Sequence, residues 1–477
     1  MDLEQFRTFF LDRGRWVMKE TVPFFHKSVL TFYERHANGS GMIFLDTLAQ
    51  TNTLISSIGQ KIPVLAIFIL IAISLVYYYV YRPRDYTRNL GEVEYYLDFI
   101  DDAIPGKRYR KSNRKTKLER LADGFRRNSK IGDIPPVYPN GWFALLESSD
   151  IERNQVKYIA ALGENFAVFR TSDGKIRMVD AYCSHLGANM GVGGKVKGDC
   201  LECPFHGWQY DGITGKCTKV PYAEKVPDFA RVRTWRSLET NGYVFVWYHV
   251  EGKEPTWEPC QRKQISDGTL WYVGRFQHLI NCHIQEIAEN GADFGHFDQI
   301  HSPLIFGGSG FWSYCKKSLS ALVHHDFIGQ GWKTDPDLPH VAIGSLSNQF
   351  RIMGKVNVLT GSSTVKYYGP GYIEVTIATP LGPVFIVMGV TPVEPLVQKT
   401  VIRVFCRPLL LPLSQLFFSF AVDGFERDIL MWELKRYREN PTLVKEEESI
   451  LLYRRWFTQF YSVNSPRYKT QQELMDW

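Results

Sequence analysis

The chain has 477 residues, 44% of them hydrophobic and 14% aromatic, enough to bury a sizeable core in two or more domains. Eight cysteines in this length exclude a disulfide scaffold. The net charge of +6 is unevenly placed: Lys107–Lys130 holds eleven Lys or Arg against Glu119 and Asp123, a local +9. The remainder is slightly acidic, so no nucleic-acid partner is expected.

In chain order, residues 1–61 read as a luminal N-terminal segment with Phe, Trp and Leu mixed among charges. Ile62–Tyr81 is 20 residues without a charge. At ~1.5 Å per residue that length crosses a bilayer core of ~30 Å, so one transmembrane helix is predicted over 62–81. Pro63 sits in the first turn, where a missing N–H is tolerated. Tyr77, Tyr78, Tyr79 and Tyr81 form an interfacial belt at the far end. The first thirty residues lack an apolar run, which argues against a cleaved signal peptide. Arg82, Arg84, Arg88 and the basic run follow the span, so the positive-inside rule places the C-terminal part in the cytosol. The Asn38-Gly39-Ser40 sequon falls on the luminal side. A single-pass protein of the endoplasmic reticulum is the expected location. Residues 82–135 read as a basic, partly helical linker, either a solvated spacer or a segment attracted to anionic lipid.

From Pro136 the texture turns to β. Val168–Arg170 and Ile176–Val179 flank Ser172-Asp173-Gly174-Lys175, a hairpin signal, and Tyr243–Tyr248 reads as an apolar strand. A second β-rich stretch runs from about Phe350 to Arg407, with helical stretches near Ile280–Phe297 and Leu413–Tyr437. The expected fold class is α+β. An all-β domain over 136–252 precedes an antiparallel-sheet domain with flanking helices over 253–477, and the transmembrane helix precedes both.

Cys183-Ser184-His185 and Cys203-Pro204-Phe205-His206 carry the first chemistry. A [2Fe–2S] centre of the Rieske type takes two thiolates on one iron and two imidazoles on the other, and each short pair supplies one of each. Gly187 is read as allowing close backbone approach, Pro204 as stiffening its loop, and Trp208 and Tyr210 as shielding the cluster. A structural zinc site is the alternative, but zinc motifs usually pair Cys with Cys and His with His. Val179–Gly215 resembles a Rieske domain. Respiratory Rieske proteins carry an extra cysteine in each box, joined as a disulfide. Here those positions are Ala188 and Phe205, which resembles the oxygenase branch instead. Cys200 and Cys217 read as small buried hydrophobes.

The second chemistry lies about ninety residues on, in Asn290-Gly291-Ala292-Asp293-Phe294-Gly295-His296 and His301. Two His and one carboxylate on one face is a common non-haem Fe(II) arrangement. His296 and His301 are five apart, about 140° on a regular helix, so the helix must end or distort there. Asp423, Glu426 and Asp428 are the candidates for the third ligand. Rieske oxygenases acting on steroids resemble Glu426–Trp432, and that resemblance selects Asp428.

The likeness covers roughly Pro136 to Tyr461, including Tyr453–Tyr461. With an N-terminal apolar span, the layout resembles the cholesterol 7-desaturase family, known in insects as Neverland. The resemblance implies loss of two hydrogens from carbons 7 and 8 of cholesterol, giving 7-dehydrocholesterol. It implies a [2Fe–2S] cluster on Cys183, His185, Cys203 and His206, and a mononuclear Fe(II) on His296, His301 and Asp428. It implies NAD(P)H electrons arriving through a separate reductase, in keeping with the lack of a Rossmann glycine fingerprint. It further implies that Asp293 bridges an iron-ligating His of its own subunit and His185 or His206 of a neighbour, in a head-to-tail homotrimer. A steroid hydroxylase of other regiochemistry and a non-enzymatic electron carrier are the alternatives. Leu409–Val422, interrupted by Pro412, reads either as a sterol entrance or as core.

Overall fold

The computed structural model describes residues 64–88, 134–301 and 323–468. The expectations for residues 1–61, the Asn38 sequon and the basic run Lys107–Lys130 lie outside the described residues. The chain divides into two compact units, Met1–Tyr78 and Tyr79–Trp477.

Helix α1, Val64–Val76, lies in the first unit, and a π turn, Tyr77–Tyr81, follows it across the boundary between the units. No helix among the described residues is long and apolar enough to cross a membrane. The transmembrane helix expected over 62–81 is thus not found among them, and Ile62 and Pro63 lie outside the described residues. Thirteen α-helical residues reach about 20 Å. The aromatic run that closes the stretch holds weak helix formers, and the helix widens there instead of continuing.

The second unit is α+β and is built on one eight-stranded sheet. Its order is β1 (Arg84–Arg88), β12 (Trp271–Asn281), β18 (Val397–Cys406), β17 (Val384–Glu394), β16 (Tyr372–Ala378), β15 (Val356–Tyr368), β14 (Val341–Ile352) and β13 (Val323–Thr334). All neighbours are antiparallel except β1, which runs parallel to β12 from Arg84↔Gly274 to Arg88↔His278. Strand β1 is a correction to the linker expected over 82–135. Tyr86 stacks on Phe418, and Arg275 donates to the Asp85 carboxylate at 2.7 Å, so this segment belongs to the sheet.

Alternation along the strands gives the sheet two apolar faces. On one face Phe385, Val387, Val401 and Phe405 pack against Trp142, Tyr243 and Phe245. Those three come from β2 (Gly141–Glu147) and β11 (Tyr243–Tyr248), which pair with β10 (Ser237–Thr240) in a second sheet. On the other face Ile402, Val404 and Cys406 pack against Leu410, Leu411, Phe418 and Val422. Each fully buried aromatic there contributes ~2–3 kcal/mol. Helix α2 is short, Ile284–Glu289, and α3 is long, Leu411–Leu434. The helix expected from Ile280 begins later, because β12 continues through Asn281 and His283 caps α2 by accepting from the Gln285 N–H. Helix α4, Glu448–Thr458, buries Tyr453, Trp456 and Phe457.

The second sheet also ties the N-terminal half to the large sheet electrostatically. Glu147, at the end of β2, is buried between the guanidinium groups of Arg275 and Arg403. Beyond it lie two small sheets: β3 (Val156–Ala161), β4 (Glu164–Arg170) and β5 (Ile176–Asp180); and β6 (Lys195–Lys197), β7 (Cys200–Glu202), β8 (Gln209–Asp211) and β9 (Cys217–Lys219).

Candidate metal centres

The two cysteine–histidine boxes form two loops of matching backbone design. Cys183 accepts from the Gly187 N–H and donates to the Ala188 carbonyl, at 2.9 Å each. Cys203 accepts from Gly207 at 3.1 Å and donates to Trp208 at 2.8 Å. Gly187 and Gly207 have φ of +73° and +71°. A Cβ on Gly187 meets nothing within 4 Å, so this glycine serves the left-handed turn and not the close approach expected of it.

The loops bring the four donors together in like pairs. Cys183 and Cys203 are buried, while His185 and His206 face each other with ring centroids 4.8 Å apart. Trp208 stacks flat on His185 at 4.6 Å. Burial pushes the Cys203 thiol up, while the Phe205 and His206 N–H groups aimed at its sulfur favour the thiolate and neighbouring Cys183 opposes it. Tyr210 Oη lies 3.1 Å from Cys183 Sγ and 2.9 Å from Ser184 Oγ. Burial raises the phenol's pKa, so it keeps its proton and can donate to the sulfur. Two sulfurs on the inner side and two imidazoles on the outer side fit a Rieske cluster. No disulfide joins Cys200 and Cys217; both are free, and Cys200 is only partly buried.

The second constellation rests on a local distortion. Phe297–His301 is a π turn, the form taken by the widening that the five-residue spacing demands. It carries His301 back over His296, with ring centroids 5.3 Å apart. Asp428 enters from α3. Among the described residues, ligand atoms of His296, His301 and Asp428 lie within 4.8 Å of one another. Asp428 Oδ1 is 3.2 Å from His301 Nε2 and 3.9 Å from His296 Nε2. Despite that proximity it makes no hydrogen bond, and it is buried. A buried carboxylate oxygen without a donor, facing two imidazole nitrogens, is what a divalent cation would satisfy. Burial lowers the His296 pKa against the pull of Asp428 and Asp293, which favours the neutral, metal-binding imidazole. Glu426 faces the other way, with Oε1 3.0 Å from His278 Nε2 on β12. Asp423 is not in the group that comes together.

Asp293 departs from its expected contact within the chain. Its carboxylate Oδ1 accepts from the Gly295 and His296 N–H groups at 3.1 and 3.4 Å, and its backbone carbonyl takes the His296 Nδ1 contact. Oδ2 stands 3.9 Å from that nitrogen. With Nδ1–H donating to the carbonyl, Nε2 is left as the acceptor that faces Asp428.

Comparison with known proteins agrees with this geometry. The Rieske [2Fe-2S] domain family matches residues 141–230, and the 3-ketosteroid 9alpha-hydroxylase C-terminal domain family matches residues 246–461. The cholesterol 7-desaturase of Xenopus laevis is 40% identical over 445 residues, covering 92% of this chain and 93% of its own. That of Hemicentrotus pulcherrimus is 39% identical over 428 residues, covering 88% and 87%. The chain belongs to the cholesterol 7-desaturase family. It is therefore a Rieske non-haem iron enzyme with a [2Fe–2S] cluster and a mononuclear iron as cofactors. A crystal structure of dicamba monooxygenase bound to dicamba shares the fold, at 14% identity and a TM-score of 0.53, over 68% of this chain and 97% of that one.

In this desaturase-family chain, side chains that the motifs did not assign hold the second constellation. Trp432, one turn beyond Asp428 on α3, donates to Asn290 Oδ1 at 3.1 Å. Arg427 donates to the Ile300 carbonyl at 3.0 Å, and Ser449 to the Ala292 carbonyl at 2.6 Å. Arg454 grips the Glu289 carboxylate at 2.6 and 3.1 Å. Helix α3 thus grips the His-bearing segment before His296, at Asn290, and between the two histidines, at Ile300, while Asp428 faces both rings. The i, i+4 spacing of Asp428 and Trp432 is the sequence signal for that shared face.

Proposed function

We propose that this chain is an oxygen-dependent sterol desaturase that converts cholesterol to 7-dehydrocholesterol. The observation that carries the reading is that one chain holds both donor sets and matches cholesterol 7-desaturases along about nine-tenths of its length. The balanced change is cholesterol, dioxygen, two electrons and two protons to 7-dehydrocholesterol and two waters. The electrons come from NAD(P)H through a separate reductase.

Cys183 and Cys203 hold one iron of the cluster, and His185 and His206 the other. His296, His301 and Asp428 hold the mononuclear iron. Bound in these places, the two centres supply one-electron transfer and dioxygen activation. The protein's own part is to position and tune. Tyr210 donates toward Cys183, Trp208 fixes the His185 ring, and the Asp293 carbonyl fixes the His296 tautomer. Asp293 belongs with the catalytic residues: Oδ2, the oxygen that does not accept from the Gly295 and His296 N–H groups, bridges to His185 or His206 of a neighbouring subunit in a head-to-tail homotrimer. The uncharged stretch Ile62–Tyr81 associates with the lipid bilayer, which is where a sterol resides. The enzyme sits in the endoplasmic reticulum with its catalytic part cytosolic. Asn38 is then glycosylated on expression in a secretory membrane, while the chain after Arg82 stays open to cytosolic protease. Protease protection of the cluster domain would reverse that orientation.

Cys203→Ser and His185→Cys are each expected to abolish the Rieske absorption and paramagnetic resonance signals. Stoichiometric zinc without iron in the purified protein would refute the cluster assignment. The match of residues 246–461 to a steroid hydroxylase domain favours hydroxylation as the second reading. Incubation of the membrane-bound enzyme with labelled cholesterol, a reductase and NAD(P)H separates the two. Desaturation yields 7-dehydrocholesterol; a hydroxylated sterol as sole product moves the assignment. A protein that takes up electrons but turns over no sterol is an electron carrier.

A further inference from the structure

Exposed apolar side chains scattered singly over a surface are ordinary; several at one place are not. Trp271, Leu381, Leu409 and Leu413 are 45%, 52%, 73% and 44% exposed. The strand register gathers them. Trp271 and Val384 both pair with Cys406, in one row at the end of the large sheet. Gly382, beside Leu381, is so close to Arg407 that a Cβ there would lie 2.7 Å from its Cδ. Leu409 follows in the turn Pro408–Leu410, and Leu413 lies one helical turn further on.

The chain enters the sheet at this same end. Gln415 Nε2 donates to the Val273 carbonyl at 2.8 Å and to the Arg82 carbonyl at 3.2 Å, which places residue 82 beside the row that begins at Trp271. The residue before it, Tyr81, closes the uncharged stretch Ile62–Tyr81. Arg82 and Arg407 are exposed beside the patch. An apolar cluster with a tryptophan and flanking arginines has the composition of an interfacial membrane contact. The leucines enter the acyl boundary, and the guanidinium groups reach lipid phosphates.

We propose that Trp271, Leu381, Leu409 and Leu413, with Arg82 and Arg407, form a face by which the catalytic unit lies on the lipid bilayer. A bilayer is favoured over a protein partner because the chain leaves this face as a twenty-residue uncharged stretch. The proposal deepens the sterol desaturase reading and rests on it for its purpose: sterol passes from bilayer to enzyme without crossing bulk water.

The test uses the full chain on phosphatidylcholine vesicles containing a minor share of phosphatidylserine. Leu409→Cys carries an environment-sensitive fluorophore, with Val463→Cys, at a fully exposed position, and the labelled parent as controls. The label at 409 shifts to the blue and is quenched by lipid-borne nitroxide, while that at 463 is not. No quenching at 409, or equal quenching at both positions, overturns the proposal. A blue shift without nitroxide quenching assigns the patch to a protein partner and also overturns it. In turnover, the Leu409→Glu/Leu413→Glu double variant raises KM for vesicle-delivered cholesterol about fivefold or more. It leaves kcat, the Rieske signal and KM for cyclodextrin-delivered cholesterol unchanged. Equal rises with both carriers place the leucines in the pocket wall and overturn the face. If the parent enzyme does not act on cholesterol, the functional reading fails while the fluorescence still decides the surface.

Discussion

Replacing Asp428 with alanine is expected to remove mononuclear iron and lower desaturation by at least ~100-fold while leaving the Rieske signal intact. Loss of a residue that merely orients a ligand commonly weakens a metal site ~10–100-fold, and loss of a direct ligand exceeds that. Asp428 Oδ1 is buried without a hydrogen-bond donor, 3.2 Å from His301 and 3.9 Å from His296. Without it two neutral imidazoles remain, a poor site for a hard divalent ion. The aspartate itself is not a fold-holding group, since neighbouring Trp432 and Arg427 make the hydrogen bonds that dock α3. Iron counting beside the resonance spectrum separates the two centres. Full activity with iron retained would pass the ligand role to Glu426 or Asp423.

Asp293→Asn is expected to keep both metals and the oligomer yet slow electron arrival at the mononuclear site by about 100-fold after the cluster is reduced. Asparagine retains an acceptor for the Gly295 and His296 N–H groups, so the turn that presents His296 survives. What it loses is the charge on Oδ2, the atom assigned to the neighbouring cluster histidine. A single-turnover measurement from the pre-reduced cluster reads this step directly. Normal transfer in the variant, or a fully active monomeric wild type, refutes the bridge.

Residues whose chemistry fixes their spacing were legible in the sequence. Cys183, His185, Cys203 and His206 announce a two-loop clamp by their short pairs, and the structure builds two matching loops from them. The five-residue interval from His296 to His301 demanded a distorted helix, and a π turn meets that demand. Asp428 was different. It lies far downstream on a helix that also carries Asp423 and Glu426, and periodicity ranks none of the three. The resemblance selected it, and the fold turns Glu426 toward His278. The long strand β12 hid because its polar residue Arg275 is satisfied by Asp85 and Thr87 of β1, which lies in a basic region without strand character, while Gln277 accepts from Arg275 on β12 itself. The carbonyl of Asp293, unlike its carboxylate, is invisible in any motif, since backbone acceptors carry no residue identity.

Strand β1 has a practical consequence for handling the protein. It is five residues long, carries charges at Arg84, Asp85 and Arg88, and covers the outer margin of the eleven-residue β12. Short, charged margins resist intermolecular strand addition, whereas long uncovered ones template it. A shortened chain that discards everything up to Arg88 to gain solubility would bare the β12 ladder and invite aggregation. One that begins between Tyr81 and Arg84 keeps the protecting strand while shedding the apolar stretch before it.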